Sequence, residues 1–275
     1  MRLTEYHRPI DLATVRRLLA RTPTPALLAG GAALLPELSS ETVVDLCDLP
    51  LNFAETQADG LHLGALLTLA ALTPASAAGT WAGGLLARAA QAEGPINLRN
   101  VATLGGLVVQ AEATSLLWLS LLALDAQAIV VAAAGPPQQV ALRTLADAPA
   151  PLLSGHLLLE VALPKHLALA QHGIATVART PRDQAIVAAV AVVEPDQAIA
   201  TVVLGGVTAQ PLVLSGLAEF TTDPTRLPAA LADLLAAQAV VADFRGSAAY
   251  RRHLAGVLAR RALTEALKTA PDAHA

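Results

Sequence analysis

The sequence predicts an α+β chain in two domains. Three observations carry that reading. The first half mixes short β-rich runs with helical segments, the texture changes near residue 174 to β-rich runs separated by "PRD" and "EPDQ" turns, and two helices close the chain. At 275 residues there is ample chain for a real core. The domains are expected at 1–166 and 172–275, with "PKHLALAQHG" as the linker between them.

In chain order, Asp11 can cap a short helix whose apolar positions Leu12, Val15, Leu18 and Leu19 share one face. "PALLAGGAALLP" reads as a short buried strand, a glycine turn and an apolar segment. "TVVDLCDL" is a strand candidate, and "GLHLGALLTLAAL" a second that runs into a helix. Residues 81–92 look helical. "NLRNVATLGGLVV" leads a polar stretch into a Gly-Gly pair and then a strand-like run. "ATSLLWLSLLALDA" has helical length, "AIVVAAAGPPQQVAL" reads as two strands around a Gly-Pro-Pro turn, and "HLLLEVALP" closes the half as a strand. Beyond it, "IATVART", "QAIVAAVAVV" and "AIATVVLGGV" suggest an antiparallel meander. One helix is expected over roughly 226–241. Another starts after Ser247, with Tyr250, Leu254, Val257 and Leu258 on one side.

Composition removes several function classes. Hydrophobic residues make up 54% of the chain, but aromatics only 3%, and alanine inflates the first figure. The longest apolar runs, such as "AIVAAVAVV" and "LLWLSLLALDA", fall short of the roughly 20 residues a spanning helix needs. The charged N-terminal stretch lacks an apolar signal region, so a cytoplasmic protein without a membrane span is expected. A net charge of −4 gives no general surface for nucleic acid. The single cysteine, Cys47, is expected to be a small core thiol, and one cysteine cannot ligate an iron–sulfur cluster by four thiolates. The seven histidines show no paired spacing, so no metal site is expected. There is no GxGxxG, no GxxxxGK[ST] and no GxSxG, and no acid/base pair to suggest hydrolysis.

What remains are glycine doublets at Gly30-Gly31, Gly83-Gly84, Gly105-Gly106 and Gly205-Gly206. Glycine admits positive φ and lets backbone N–H groups face an anion unobstructed. Two of these loops, 30–31 and 105–106, could lie side by side and cradle a pyrophosphate. Alternatively, each is a turn between packed elements.

The chain as a whole resembles the FAD-binding (medium) subunit of the molybdenum hydroxylase family, which includes aerobic CO dehydrogenases and xanthine dehydrogenases. The resemblance runs through "YHRPIDLATVRRLLA", "LLAGGAALLP", "VVDLCDLP", "INLRNVATLGG", "LLALDA" and "GHLLLEVALP" to "VVLGGVTAQP" and "DFRGSAAYRRHLAGVLARRALTEAL". It implies a two-part FAD-binding domain followed by a smaller C-terminal domain with an antiparallel sheet and helices. By the same resemblance, FAD is gripped through the backbone of Ala29, Gly30, Gly31, Ala32, Ala33 and Leu34, and of Ala102, Thr103, Leu104, Gly105, Gly106 and Leu107. Thr103 would offer a hydroxyl, and Gly64 and Ala65 would border the cofactor. Partner chains would hold molybdopterin, on a large subunit, and iron–sulfur clusters, on a small one. Electrons would leave to an acceptor such as NAD or a quinone.

The chain also departs from that pattern. The family's first loop usually reads Gly-Gly-Thr/Ser-Asp-Leu, where this one has Gly30, Gly31, Ala32, Ala33, Leu34. Its second loop usually continues to Asn, here Leu107. Its Ser-Pro-x-Ser-Asp becomes Glu112, Ala113, Thr114, Ser115, Leu116, so that Ser115 alone is kept. The alternative function is therefore a scaffold or assembly subunit that has lost the flavin. Trp81 and Trp118 are expected in the core, Arg99 either on a phosphate or in a structural bond, and the arginines at 251, 252, 260 and 261 either solvated or docking a partner.

Overall fold

Among the described residues, three small sheets are bound together by helices. The computed structural model describes residues 3–32, 41–147, 154–180, 183–194 and 198–268. The first sheet is parallel, with β1 (Glu5–His7), β2 (Ala26–Leu28) and β3 (Thr42–Asp45) in the order β1-β3-β2. The helix Leu12–Leu19 covers it. Asp11 caps that helix by accepting from the Thr14 N–H at 2.7 Å, and Val15, Leu18 and Leu19 are its buried residues, as the apolar spacing predicts.

The second sheet is antiparallel. It contains β4 (Ala54–Thr56), β5 (Gly60–Gly64), β6 (Gln127–Ala132), β7 (Gln138–Ala141) and β8 (His156–Pro164), in the order β4-β5-β8-β6-β7. The Gly-Pro-Pro turn joins β6 to β7 as the sequence predicts. The third sheet is the expected meander: β9 (Gln171–Val177), β10 (Val187–Glu194), β11 (Ile199–Gly205) and β12 (Leu212–Leu214) pair in succession. One face of it is covered by the helices Leu227–Ala236 and Ala248–Lys268, whose Leu231, Leu235, Leu254, Leu258 and Leu263 share a core with Val187, Val202 and Leu204.

Its other face does not end a domain. Ala188, Val190, Val192 and Val203 join the main core around the helix Leu116–Ala123. That helix is apolar on all sides, and Leu117, Trp118, Leu119, Leu121 and Leu122 are fully buried. A helix of this kind needs cover all round; the second sheet's layer supplies one side and the third sheet the other. The connection between the halves is correspondingly tight. The predicted linker forms a short 3₁₀ turn, Lys165–Leu167, and buries Leu167 and Ala170 before entering β9.

Four local expectations are corrected. The run after Gly105-Gly106 is a helix, Leu104–Gln110. The segment after β5 makes only a 3₁₀ turn, Leu69–Ala71. Cys47 is exposed in the turn that follows β3. On the last helix Leu254 and Leu258 are buried, but Tyr250 is 42% exposed, because residues four apart drift around a long helix. Both tryptophans are in the core, as expected.

Two buried polar residues fix the sheets. Arg251 is 2% exposed; its guanidinium donates to the Ile186 and Gly206 carbonyls at 2.6 Å each and to Asp243 Oδ1 at 2.6 Å. It thus joins the last helix to the ends of β10 and β11. Arg251→Met keeps the volume but leaves those carbonyls unsatisfied and should cost about 3–5 kcal/mol. A denaturant midpoint equal to that of the parent chain would contradict this role.

His62 on β5 lies between Glu160 of β8 (2.9 Å) and Asp59 (3.1 Å). Burial pulls its pKa down, but the two carboxylates outweigh that and leave it raised above the ordinary histidine value. Its stabilisation is therefore complete below the unfolded-state pKa of about 6.5 and is lost as pH rises through the higher folded-state value. Stability measured across neutral pH should fall in the parent chain and flatten in His62→Gln.

Candidate functional site

The two glycine loops of the first half meet. A Cβ on Gly30 would lie 1.5 Å from the carbonyl oxygen of Val101, so backbone abuts backbone at a position that only glycine allows. Gly31 follows with φ of +74°, turning the chain away from β2. The second loop is the start of the Leu104–Gln110 helix. Thr103 is its N-cap, with an extended backbone and a side chain that accepts from the Gly106 N–H at 3.2 Å. Gly105 packs on the segment after β5: its N–H donates to the Ala65 carbonyl at 2.8 Å, and a Cβ there would sit 2.9 Å from that same oxygen.

Thus Ala29–Ala32, Gly64–Ala65 and Ala102–Gly106, expected together, converge on one place. Gly64 contributes through the backbone, its missing Cβ making room for the Leu51 carbonyl. Ala33 and Leu34 lie outside the described residues. The hydrogen bonds of the two loops differ. In the second, the N–H groups of Ala102, Leu104, Gly105 and Leu107 already donate to Leu98, Leu67, Ala65 and Thr103 carbonyls. Thr103 pairs with Thr68 as an antiparallel bridge. Bonds from Leu69 to Ala102 and from Leu104 to Leu67 flank it, which directs the Thr103 N–H away from that strand. In the first loop, the N–H groups of Gly30, Gly31 and Ala32 have no acceptor among the described residues.

This arrangement fits an anionic cofactor segment at the level of the backbone. Two bare glycines adjoin three unengaged amides, and the Thr103 hydroxyl accepts one N–H while keeping its own proton to donate. Around Gly106 a Cβ would meet only Thr103 Oγ1, at 3.2 Å, and otherwise open space. The side chains that carry polar groups elsewhere in the family's pattern are apolar here. Leu107 is 8% exposed within the main core, and Leu116 packs against it. A cavity of about 540 Å³ lies elsewhere, lined by Pro74, Gly83, Gly84, Arg88 and Gln91, and contains none of the predicted residues.

Among the described residues Ser115 makes no hydrogen bond to either loop. It caps the Leu116–Ala123 helix, accepting from Trp118 N–H at 3.1 Å and donating to Glu93 Oε1 at 2.8 Å. Glu93 also accepts from the Leu117 N–H at 2.8 Å; burial raises its pKa against those two bonds. Sequence reasoning missed this carboxylate. Its signal was an acid at the C-terminal end of the Leu85–Ala92 helix, where the dipole disfavours negative charge and a second partner is called for. Arg99 makes a structural bond to the Gly94 carbonyl at 3.1 Å. Among the described residues no group of three His, Cys, Asp or Glu could hold a metal ion, and no helix is long and apolar enough to cross a membrane.

The meeting of the loops is testable apart from any ligand. Gly30→Ala should force them apart, destabilise the chain by at least about 1–3 kcal/mol, and expose the backbone near Val101 to faster amide exchange. Unchanged exchange there would mean that the loops do not touch.

Comparison with known proteins gives a family. Residues 2–166 match the FAD binding domain in molybdopterin dehydrogenase, and residues 174–266 match the CO dehydrogenase flavoprotein C-terminal domain. A structure of CO dehydrogenase from Oligotropha carboxidovorans superposes with a TM-score of 0.83 at 26% identity, covering 97% of this chain and 98% of that one. Quinoline 2-oxidoreductase from Pseudomonas putida 86 shares the fold, with a TM-score of 0.82 at 23% identity over 98% and 99% of the two chains. No curated protein matches the sequence. The two domains, in order and over nearly the full length, make this chain a member of the family of FAD-binding subunits of molybdenum hydroxylases.

Proposed function

We propose that the chain is the flavin-holding electron-transfer subunit of a molybdenum hydroxylase complex. Partner subunits would bear the molybdopterin and the iron–sulfur clusters, and the electrons would pass on to NAD, a quinone or a similar acceptor. The observation that carries this reading is the backbone contact of Gly30 with Val101, which sets the unengaged amides of Gly30, Gly31 and Ala32 beside Thr103.

In the proposed arrangement those amides hold the diphosphate of FAD, and the Thr103 hydroxyl donates a further hydrogen bond. FAD, when bound, supplies exchange of electrons between one-electron donors and a two-electron acceptor. The chain's own part is to bind and orient it and to exclude water. Leu104, fully buried, anchors the cap of the second loop in the core. Ala65 and Leu67 fix that cap from the other side by accepting the Gly105 and Leu104 N–H groups. No side chain is asked to move a proton.

A second reading is favoured by Leu107 and Ser115. One is buried in the core and the other is engaged by Glu93 and Trp118, so two positions that bear polar groups in the family's pattern offer none to a flavin. Each hydrogen bond to a charged group is worth roughly 1.5–3 kcal/mol, or about 10- to 100-fold in affinity. If those losses prevail, the chain is a scaffold subunit of the same complex.

Titration of the purified chain with FAD, followed by visible absorption, separates the two. Saturable uptake of one FAD per chain is expected, with Gly106→Ala weakening it at least about tenfold while leaving the melting temperature near that of the parent, since alanine is the better helix former. A folded chain that takes up no FAD would overturn the flavin reading and leave the scaffold reading in front.

A further inference from the structure

The last helix exposes two groups of cations, parted where Gly256 is buried against Pro228 of the Leu227–Ala236 helix. Arg252, His253, Arg260, Arg261 and Lys268 are exposed along it, while Leu254, Leu258 and Leu263 face the core. Arg252, Arg260, Arg261 and Lys268 make no ion pair among the described residues. The helix carries one carboxylate, Glu265. It is taken up by Arg88 at 2.7 Å and by the Ile174 N–H at 3.0 Å. All this occurs on a chain whose net charge is −4, so the cations are a local feature and no general surplus.

At the start of the same helix an aromatic is held out to solvent. Phe244 is 87% exposed, with Arg179 and Arg245 guanidinium carbons 5.9 and 6.0 Å from its ring centre. The turn that presents it is rigid. Asp243 accepts from the Arg245 and Gly246 N–H groups at 2.9 and 3.1 Å and is clamped by the buried Arg251; Arg245 reaches Gln184 at 2.7 Å. An aromatic and arginines fixed in advance are the composition and the preorganisation of a binding hot spot.

We infer that these two groups, Phe244 with Arg252 towards one end of the helix and Arg260, Arg261 and Lys268 towards the other, dock a carboxylate-bearing surface of a partner subunit, with an apolar recess that receives Phe244. Charge complementarity selects an acidic partner. A protein surface is favoured over lipid because the helix's apolar side is buried in its own core and leaves only Phe244 to insert. It is favoured over nucleic acid because the cations are few and the chain as a whole carries a net charge of −4. Arg251, which the sequence groups with the docking arginines, has no part in it, being enclosed. The inference rests on the proposed place of the chain in a multi-subunit complex.

Co-expression of the full chain with the molybdopterin and iron–sulfur subunits, and measurement of assembly by sedimentation, tests it. The parent chain should assemble, and added salt should weaken assembly. Arg260→Glu with Arg261→Glu, and separately Phe244→Ala, should weaken it about 10- to 30-fold while the melting temperature and FAD uptake of the isolated chain stay as they were. Variants that assemble as well as the parent would overturn the docking face and leave the proposed function standing. A parent chain that never assembles would overturn both. Self-association of the isolated chain, or its binding to phosphatidylserine vesicles, abolished by the same substitutions would overturn the inference in favour of a second copy or of lipid.

Discussion

The second sheet's layer and the meander meet around one helix that must be dry. Leu116–Ala123 has no polar side, and Ser120 is accommodated only by bonding back to the Leu116 carbonyl at 2.7 Å. Burial of such a helix is worth roughly 1.5–3 kcal/mol for each large apolar side chain, and the gain is realised only if both the second sheet's layer and the meander close over it. The two domains matched separately therefore share one core across their boundary. The tight passage through Lys165–Leu167 follows from that, since a loose linker would have nothing to span.

Much of this could be read from the chain. Asp11 with its four-residue apolar spacing, the Gly-Pro-Pro hairpin and the meander are local signals, and the structure bears them out. The misreadings are those in which distant contacts decide. "LGGLVV" pairs a poor helix former with β-branched residues and by propensity alone reads as a strand. It is a helix because Thr103 caps it and because Gly105 lets it close on Ala65, some forty residues away in sequence. Cys47 has apolar neighbours in sequence, but it falls in the turn after β3, where the chain leaves the sheet.

The candidate site shows the same division. The glycines were visible, and the resemblance to a family told which of the four doublets to favour. That Gly30 touches Val101 has no sequence signature, because it is a contact between two main chains. Equally invisible was the state of the amides: the loop with the stronger motif has most of its N–H groups already engaged, and the plainer loop has its own unengaged among the described residues. Glu93 and Ser115 carry a parallel lesson, for a serine matching a family pattern serves here as a helix cap.

The smallest sheet brings out a last consequence of the Gly30 contact. Among the described residues its core holds nine that are buried, of which Leu66, Val131 and Leu157 belong to the neighbouring layer. The rest of its attachment includes the seam at Val101. A molecule lying across that seam would add a bridge to those that the shared core and the Arg16 bond to the Ala133 carbonyl already make, and its binding energy would then appear as resistance of the parallel sheet to local opening. A flavin bound as proposed above would then be a structural member of the molecule as well. The chain's tolerance of changes in its first hundred residues would then depend on whether that member is in place.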